Sequence, residues 1–409
     1  MIGLCDCNSF YASSEQLFRP DLRSKGVLVL SNNDGVVIAL NAKAKELGFK
    51  RGDLYHKIID EAKKKGCTFF SSNYALYANL STRVINCLNA NTEEVIPYSI
   101  DEAFFIPMKN QDCVELRNLV SSQTGLPVSV GLARTKTLAK IANHIGKKMI
   151  DGACVIKQED EEEILRKTAI EEVWGIGYKT AEKLRRKGIT TALSFAMQDE
   201  GWIKSNFNIT VLKTARELKG IPCIEEGETD KSFCSGISFK APITNFDELY
   251  TALCAQAQVL SLKLEQKNLV SSTFVISIFN SRFQEGFYAP FEVINFEEQT
   301  NYLPKIIKAV YIALKKIYVP NKYKGCRIFA INLYPKGTFQ YTLFQSESDI
   351  ASMDKRDKLT SVVQEISKKY GRTSIVPATM LGVDKTNLCK RELKSPAYTT
   401  SFDELPTVN

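Results

Sequence analysis

The sequence predicts an α+β multidomain protein. Its 409 residues exceed the length over which one hydrophobic core keeps growing. Strand-length apolar runs and segments of helical periodicity follow one another in mixed order through the N-terminal part, the pattern of an α+β core with a small insertion near residues 11 to 70. From about Phe233 to Tyr334 the order becomes strand, helix, two strands, helix, strand, which is a split βαβ unit.

The first predicted strand ends near Asp6, and the polar turn after it opens a helix at about Ser9 to Phe18. A strand from Val27 to Ser31 runs through Asn32-Asn33-Asp34-Gly35, a strong turn signal, into Val36 to Ala39. Ala42 to Leu47 reads as helix, stopped by Gly48. Leu76, Leu80, Val84 and Leu88 recur at helical spacing and predict a helix from Tyr74, followed by a strand, turn and strand that carry Ser99 to Glu102. Leu126 to Leu132 is a further strand, and Thr137 to Lys148 a basic helix behind it. Glu159 to Glu163 begins a solvated helix of a separate module. In the split βαβ block, Phe233 to Phe239 is the first strand, and Asn245 with Glu248 makes a capping box for the helix carrying Leu249, Leu253, Leu260 and Leu264. Thr273 to Phe279 alternates as a strand, Asn280 and Ser281 turn it, and Ala289 to Ile294 returns. Tyr302 to Tyr318 is helical, and Gly325 to Leu333 closes the unit. Beyond Phe344 the sequence is more polar and less patterned.

Composition narrows the chemistry. No apolar run approaches the roughly 18 to 20 residues of a membrane span, and no signal-peptide pattern opens the chain, so a cytoplasmic location is expected. The 11 cysteines are odd in number and contain no CxxC pair, which argues against a disulfide framework or a zinc module. His56 and His144 are the only histidines, so a histidine general base has little to draw on and the chemistry turns toward carboxylates and metal. The net charge of +8 suggests a polyanionic partner. Its distribution says more: Gln299 to Ser346 holds no acid but carries Lys305, Lys308, Lys315, Lys316, Lys322, Lys324, Arg327 and Lys336. Arg134 to Lys148 is a second acid-free basic run. One-sided blocks of this kind fit phosphate contacts.

Three carboxylates stand out. Asp6 lies in Ile2-Gly3-Leu4-Cys5-Asp6-Cys7-Asn8-Ser9-Phe10-Tyr11, and Asp101-Glu102 lies in Tyr98-Ser99-Ile100-Asp101-Glu102-Ala103-Phe104-Phe105. An acid inside a strand-like apolar run is costly unless a cation or hydrogen bonds compensate it. Together they read as one Mg2+ site, because a hard ion accepts two or three carboxylates and leaves its other positions to phosphate or water. The implied chemistry is phosphoryl transfer. Separately, Val173-Trp174-Gly175-Ile176-Gly177-Tyr178-Lys179-Thr180-Ala181 joins two short helices, either as an ordinary glycine turn or as the hairpin of a helix-hairpin-helix DNA binder. In the second case Gly175 and Gly177 admit close backbone approach, and the amides of the next helix face a phosphate, with Lys179 adding charge.

Asp6 to Ala12 together with Tyr98 to Phe104 resembles the paired signature of Y-family translesion DNA polymerases, and the resemblance extends over nearly the whole chain. Within that family the tail Tyr398-Thr399-Thr400-Ser401-Phe402-Asp403-Glu404-Leu405-Pro406 is similar to the UmuC-type catalytic subunits of bacterial DNA polymerase V. The resemblance implies a right-hand polymerase: palm in residues 1–10 and 71–152, fingers in 11–70, helix-hairpin-helix thumb in 153–230, split βαβ little finger in 231–345 and a C-terminal extension in 346–409. It implies two Mg2+ ions held by Asp6, Asp101 and Glu102, with the Cys7 carbonyl as an extra ligand. Phe10, Tyr11, Lys45 and Lys147 would bind nucleotide, Tyr11 as the steric gate against a ribose 2'-hydroxyl and Lys147 on the triphosphate. Read alone, an aromatic such as Tyr11 is more often a core side chain, and Lys147 is as readily a solvated helix end. Ala42 and Lys45 depart from the Tyr and Arg that many relatives carry, and Lys45 lacks the bidentate fork.

Gln340-Tyr341-Thr342-Leu343-Phe344 resembles the peptide that docks on the bacterial sliding clamp, through Gln340, Leu343 and Phe344. The expected partners are primed template DNA, dNTPs, the sliding clamp, and, for this branch, processed UmuD and RecA. The expected function is translesion synthesis in the SOS response to DNA damage. Its rivals are a DNA-binding accessory protein of the same fold that has lost catalysis and a two-metal phosphodiesterase acting on DNA.

Overall fold

The structure is a computed structural model that describes residues 1–225, 231–283, 286–338, 347–371, 374–381 and 390–405. Contacts divide it into two units, Met1–Glu226 with Glu392–Asn409, and Gly227–Arg391. The first unit begins with β1 (Ile2–Cys7), α1 (Phe10–Leu17), β2 (Val27–Leu30), β3 (Val37–Leu40), α2 (Ala42–Glu46), α3 (Tyr55–Lys64) and β4 (Thr68–Ser71). It continues through α4 (Tyr74–Asn91), β5 (Glu94–Pro97), β6 (Glu102–Ile106), α5 (Cys113–Thr124), β7 (Val128–Ala133), α6 (Lys136–Gly146) and β8 (Ala153–Val155). Five short helices follow: α7 (Glu161–Lys167), α8 (Tyr178–Arg185), α9 (Ala192–Ala196), α10 (Glu200–Asn206) and α11 (Ile209–Leu218).

The main sheet has the order β5-β6-β1-β7-β8, with β1 antiparallel to both neighbours. Strand alternation sends Cys5, Cys7, Ala103, Phe105, Val128 and Val130 into a core with α4 and α5, whereas Leu4 and Phe104 join the core of α6 and the later helices. Asp6 and Glu102 have the parity of Leu4 and Phe104, so both acids face the α6 side. Close approach of α6 depends on Gly131: a Cβ there would stand 2.1 Å from the Asn143 nitrogen and 2.6 Å from the Ala139 carbonyl oxygen. Asn143 completes the seam by donating from Nδ2 to the Ser129 carbonyl at 2.8 Å.

Residues from Val27 to Ser71 form a three-stranded sheet, β3-β2-β4, covered by α2 and α3 around Leu28, Leu30, Val37, Ala44 and Ala62, while Ala12 of α1 and Leu22 pack into the core of the main sheet. In the helical module, the sequence-predicted solvated helix is corrected at one residue. Glu161 is buried because Arg134 grips it with two hydrogen bonds of 2.7 and 2.5 Å. Glu217 of α11, also buried, accepts from the Thr137 N–H at 2.8 Å and so caps α6 from a distant helix.

The second unit is β9 (Ser232–Ile243), α12 (Phe246–Gln266), β10 (Leu269–Phe279), β11 (Phe291–Thr300), α13 (Leu303–Ile317), β12 (Tyr323–Pro335) and α14 (Glu347–Tyr370). Its sheet, in the order β11-β10-β12-β9, is antiparallel throughout, and α12 and α13 cover one face. At the start of α12 the Asn245 side chain accepts from the Asp247 and Glu248 N–H groups. The basic block is less one-sided in space than in sequence: Lys305, Lys316 and Lys336 pair with Glu298, Glu292 and Glu265, all of which precede it. The ten cysteines of the described residues are free thiols. No helix among the described residues is long and apolar enough to cross a membrane.

Candidate active site

Asp6 and Glu102 are register partners across β1 and β6. Asp101 sits one peptide before β6, where its carbonyl accepts the Cys7 N–H at 2.8 Å and ties the two acidic segments together. The turn after β1 puts Ser9 in the left-handed region, at φ 50°, and delivers Phe10 and Tyr11 onto α1 beside the same strand end. Asp6, Cys7, Phe10, Tyr11, Asp101 and Lys147 therefore line one cleft of about 750 Å³, and the insertion adds Lys45 and Arg51 to its wall.

Two lysines of α6 and its C-cap answer the acids. Lys147 Nζ lies 2.8 Å from Asp6, and Lys140 Nζ lies 2.7 Å from Glu102. Lys140 is also caged by aromatic faces, 4.7 Å from the Tyr98 ring centre and 5.1 Å from that of Trp174. Burial drives the Asp6 carboxyl well above the usual carboxylate range, against the pull of Lys147 and with help from its hydrogen bond to Glu102. Burial acts on Glu102 too, but hydrogen bonds from Asp6 and Lys140 hold it below the usual value.

The donor set is all oxygen and negatively charged, which suits a hard divalent cation, and the buried Asp6 facing the half-buried Glu102 favours one. Convergence is incomplete, however. Among the described residues no three His, Cys, Asp or Glu side chains are grouped closely enough to hold an ion. The Asp101 carboxylate instead accepts a 2.8 Å hydrogen bond from the Ser99 hydroxyl. Asp6 and Glu102 are brought together, and Asp101 lines their cleft without joining them. Asn8 takes no part in the pair, because its Oδ1 accepts from the Ser129 hydroxyl at 2.8 Å.

Tyr11 is half-buried in an aromatic cluster. Its ring stacks on Tyr77 at 4.4 Å and 15°, and meets Tyr74 edge-on at 6.0 Å. Arg51 and Tyr77 are the residues sequence reasoning missed. Tyr77 falls on the periodic face of α4 that reads as ordinary core, and the signal for Arg51 was only its place in the basic run Lys50-Arg51, close to Lys45.

In the helical module, Gly175 has φ +85°, and its Cβ would stand 2.6 Å from the Thr214 hydroxyl oxygen, so only glycine fits. Gly177 is the N-cap of α8 with open space where a Cβ would be, and Lys179 follows in the first turn. Arg185 and Arg186 are paired with Glu171 and Glu182, so less of the local charge is available than the sequence suggests. Gln340, Leu343 and Phe344 lie outside the described residues.

Comparison with known proteins agrees with this architecture. Residues 5–144 match the impB/mucB/samB family, 158–189 the HHH motif of that family and 230–343 its C-terminal domain. Residues 357–408 match a domain of unknown function. The chain is 35% identical to Protein UmuC of Salmonella typhimurium strain LT2 and 35% identical to Protein SamB of Salmonella typhimurium, over 99% of each chain in both cases. It is 24% identical to a DNA polymerase IV of Desulfatibacillum aliphaticivorans across 95% of this chain and 98% of that one. Among solved structures, a Y-family DNA polymerase chimera superposes with a TM-score of 0.68 at 19% identity, covering 82% of this chain and all of the other. An insertion ternary complex of Dbh DNA polymerase superposes with a TM-score of 0.55 at 18% identity, with the same coverage. The chain belongs to the impB/mucB/samB family, in its UmuC-like branch, and is built on the Y-family DNA polymerase fold.

Proposed function

We infer that the chain is a template-directed DNA polymerase that performs translesion synthesis, adding dNMP to a primer 3'-hydroxyl. The observation that carries this is the meeting, in one cleft, of Asp6 and Asp101 with the half-buried Tyr11 and the basic side chains Lys45, Arg51 and Lys147, while Glu102 stands beside Asp6 as its register partner. An accessory protein that had lost catalysis has no need of a buried acid, Asp6, lining an open cleft beside Asp101. A phosphodiesterase gives no reason for an aromatic ring there.

Catalysis depends on a divalent metal, in this reading two Mg2+ ions held by Asp6, Asp101, Glu102 and the Cys7 carbonyl. When bound, such ions lower the pKa of the attacking 3'-hydroxyl and neutralise charge on the triphosphate. The chain's own residues do the rest. Lys147, Lys45 and Arg51 attract and orient the triphosphate. Lys140, locked among three aromatic rings, holds Glu102 in its place on β6. The Tyr11 ring, backed by Tyr77, stands where a ribose 2'-hydroxyl would clash, so deoxynucleotides are selected by exclusion. Gly175, Gly177 and Lys179 present the N-terminus of α8 to a backbone phosphate of the DNA. The name of one structural neighbour records a ternary complex of a DNA polymerase, which agrees with DNA and dNTP as substrates. The sliding clamp, through Gln340, Leu343 and Phe344, and processed UmuD and RecA are proposed partners. An SOS role and a cytoplasmic location follow from the same branch.

The test is primer extension with Mg2+ opposite undamaged and abasic templates, comparing the wild type with Asp101→Ala. Loss of extension in the variant, with DNA binding retained, is expected. Equal extension by the two proteins would reject the site.

A further inference from the structure

The segment after Glu392, which no sequence motif explains, rejoins the first unit and lies along the elements that support Tyr11. Its docking is specific along its length. The Glu392 N–H donates to Asp34 Oδ2 at 3.1 Å. Ser71, the last residue of β4, donates its N–H to the Leu393 carbonyl at 2.9 Å and accepts the Leu393 N–H on Oγ at 3.0 Å, so the strap continues as a parallel bridge beside that strand. Asn73 donates from Nδ2 to the Ser395 carbonyl, the Ser395 hydroxyl and the Pro396 carbonyl, at 3.2, 3.0 and 3.3 Å. Tyr398 is buried and stacks on Phe18, just past α1, at 4.7 Å and 16°.

Asn73 faces two ways. While Nδ2 holds the strap, Oδ1 accepts from the Leu76 N–H and caps α4. The first turn of α4 carries Tyr74 and Tyr77, the two rings that flank Tyr11. Tyr77 is anchored in turn by its hydroxyl, which donates to Glu15 at 2.6 Å, and Glu15 lies one helical turn after Tyr11 on α1. Strap, Asn73, the start of α4, Tyr77 and Tyr11 thus form one packed series.

We propose that the strap Glu392–Leu405 is a positioning element for sugar selection: by holding Asn73 and Phe18 it fixes the first turn of α4 and the end of α1, and with them the ring of Tyr11. This rests on Tyr11 acting as the sugar gate. Asn73, Tyr77 and Tyr398 are not among the residues that line the cleft, so they act through Tyr11. A clash-based filter needs its ring held to a fraction of an ångström, because a ring free to swing admits the 2'-hydroxyl it should exclude. The domain of unknown function matched at residues 357–408 thereby acquires a role for its final portion.

Single-nucleotide primer extension by the full chain, measuring kcat/KM for a dNTP and for the matching rNTP, tests this. Asn73→Asp keeps an oxygen to cap α4 and removes the donor that holds the strap. Tyr398→Ala removes the stack independently, and Tyr398→Phe retains it. The two disrupting variants should lower the dNTP-to-rNTP preference by roughly tenfold or more, mainly by admitting rNTP, with primer-template affinity unchanged and Tyr398→Phe behaving as wild type. An unchanged preference in a folded Asn73→Asp or Tyr398→Ala protein overturns the proposal, as does an equal loss for both nucleotides. Tyr11→Ala is the reference. If it abolishes the preference while the strap variants keep it, only the strap proposal fails; if it still excludes rNTP, the gate itself fails and the strap proposal falls with it.

Discussion

Glu15→Gln isolates the charge of one buried carboxyl. Glu15 is fully buried, and Oε1 accepts the Tyr77 hydroxyl. Burial pushes its pKa up from 4.5 to about 7, although Tyr77 on α4 and Ser395 and Lys394 on the strap all pull it down. Tyr398 is a further ionisable group nearby. The folded chain therefore binds this proton more tightly than the unfolded chain, by about 3 kcal/mol at about 1.36 kcal/mol per pH unit. Because the folded pKa is the higher one, the contribution is complete below pH 4.5 and is lost as pH rises through about 7. Glutamine keeps the oxygen that Tyr77 needs and cannot ionise. At pH 8 the variant should be more stable than the wild type by about 3 kcal/mol, and near pH 4.5 the two should be nearly equal. Trp174 and Trp202, the only two tryptophans, both lie in the first unit, so urea unfolding followed by tryptophan fluorescence reports on the unit that contains Glu15. Parallel stability profiles for the two proteins between pH 4.5 and 8 would refute the argument.

Gly131→Ala should push α6 off the sheet, because the new Cβ meets backbone rather than a yielding side chain. A loss of about 3 kcal/mol or more in the same unfolding assay is expected, together with weakened primer extension as Lys140 and Lys147 are displaced. Arg51→Ala removes an exposed guanidinium from the cleft wall and should raise KM for dNTP about tenfold with little change in kcat, the signature of lost uniform binding in steady-state kinetics. Lys179→Ala should leave stability unchanged and weaken duplex binding for every sequence alike. The slope of log K against log salt should fall by about 0.9, read by fluorescence anisotropy across a salt series.

Much of the site was legible in one dimension. An acid interrupting an apolar strand announces a compensated charge, and Asp6 and Glu102 each do so within a handful of residues. Alternation in the two strands then places both on one face, which is why they meet across the register. The split βαβ order and the Val173-to-Ala181 hairpin are likewise local patterns, and local patterns survive without knowledge of the fold.

Pairings between distant segments do not. Glu161 sits in a run of acids that any periodicity argument assigns to solvent, yet Arg134 buries it, and the basic block from Gln299 onward is partly neutralised by acids that precede it. Nothing in the short sequence around Asp101 shows its carboxylate turning to Ser99 while Glu102 turns to Asp6 and Lys140. The tail is the extreme case. Ser395 and Tyr398 carry no periodicity or charge signal, because their partners, Asn73 and Phe18, lie more than three hundred residues away. Side-chain chemistry and strand period were enough to single out the acids and the fold class, whereas Tyr11 was named only through the family resemblance. Only tertiary packing could decide which charges are spent on one another and what braces the ring of Tyr11, since both depend on contacts that chain order does not encode.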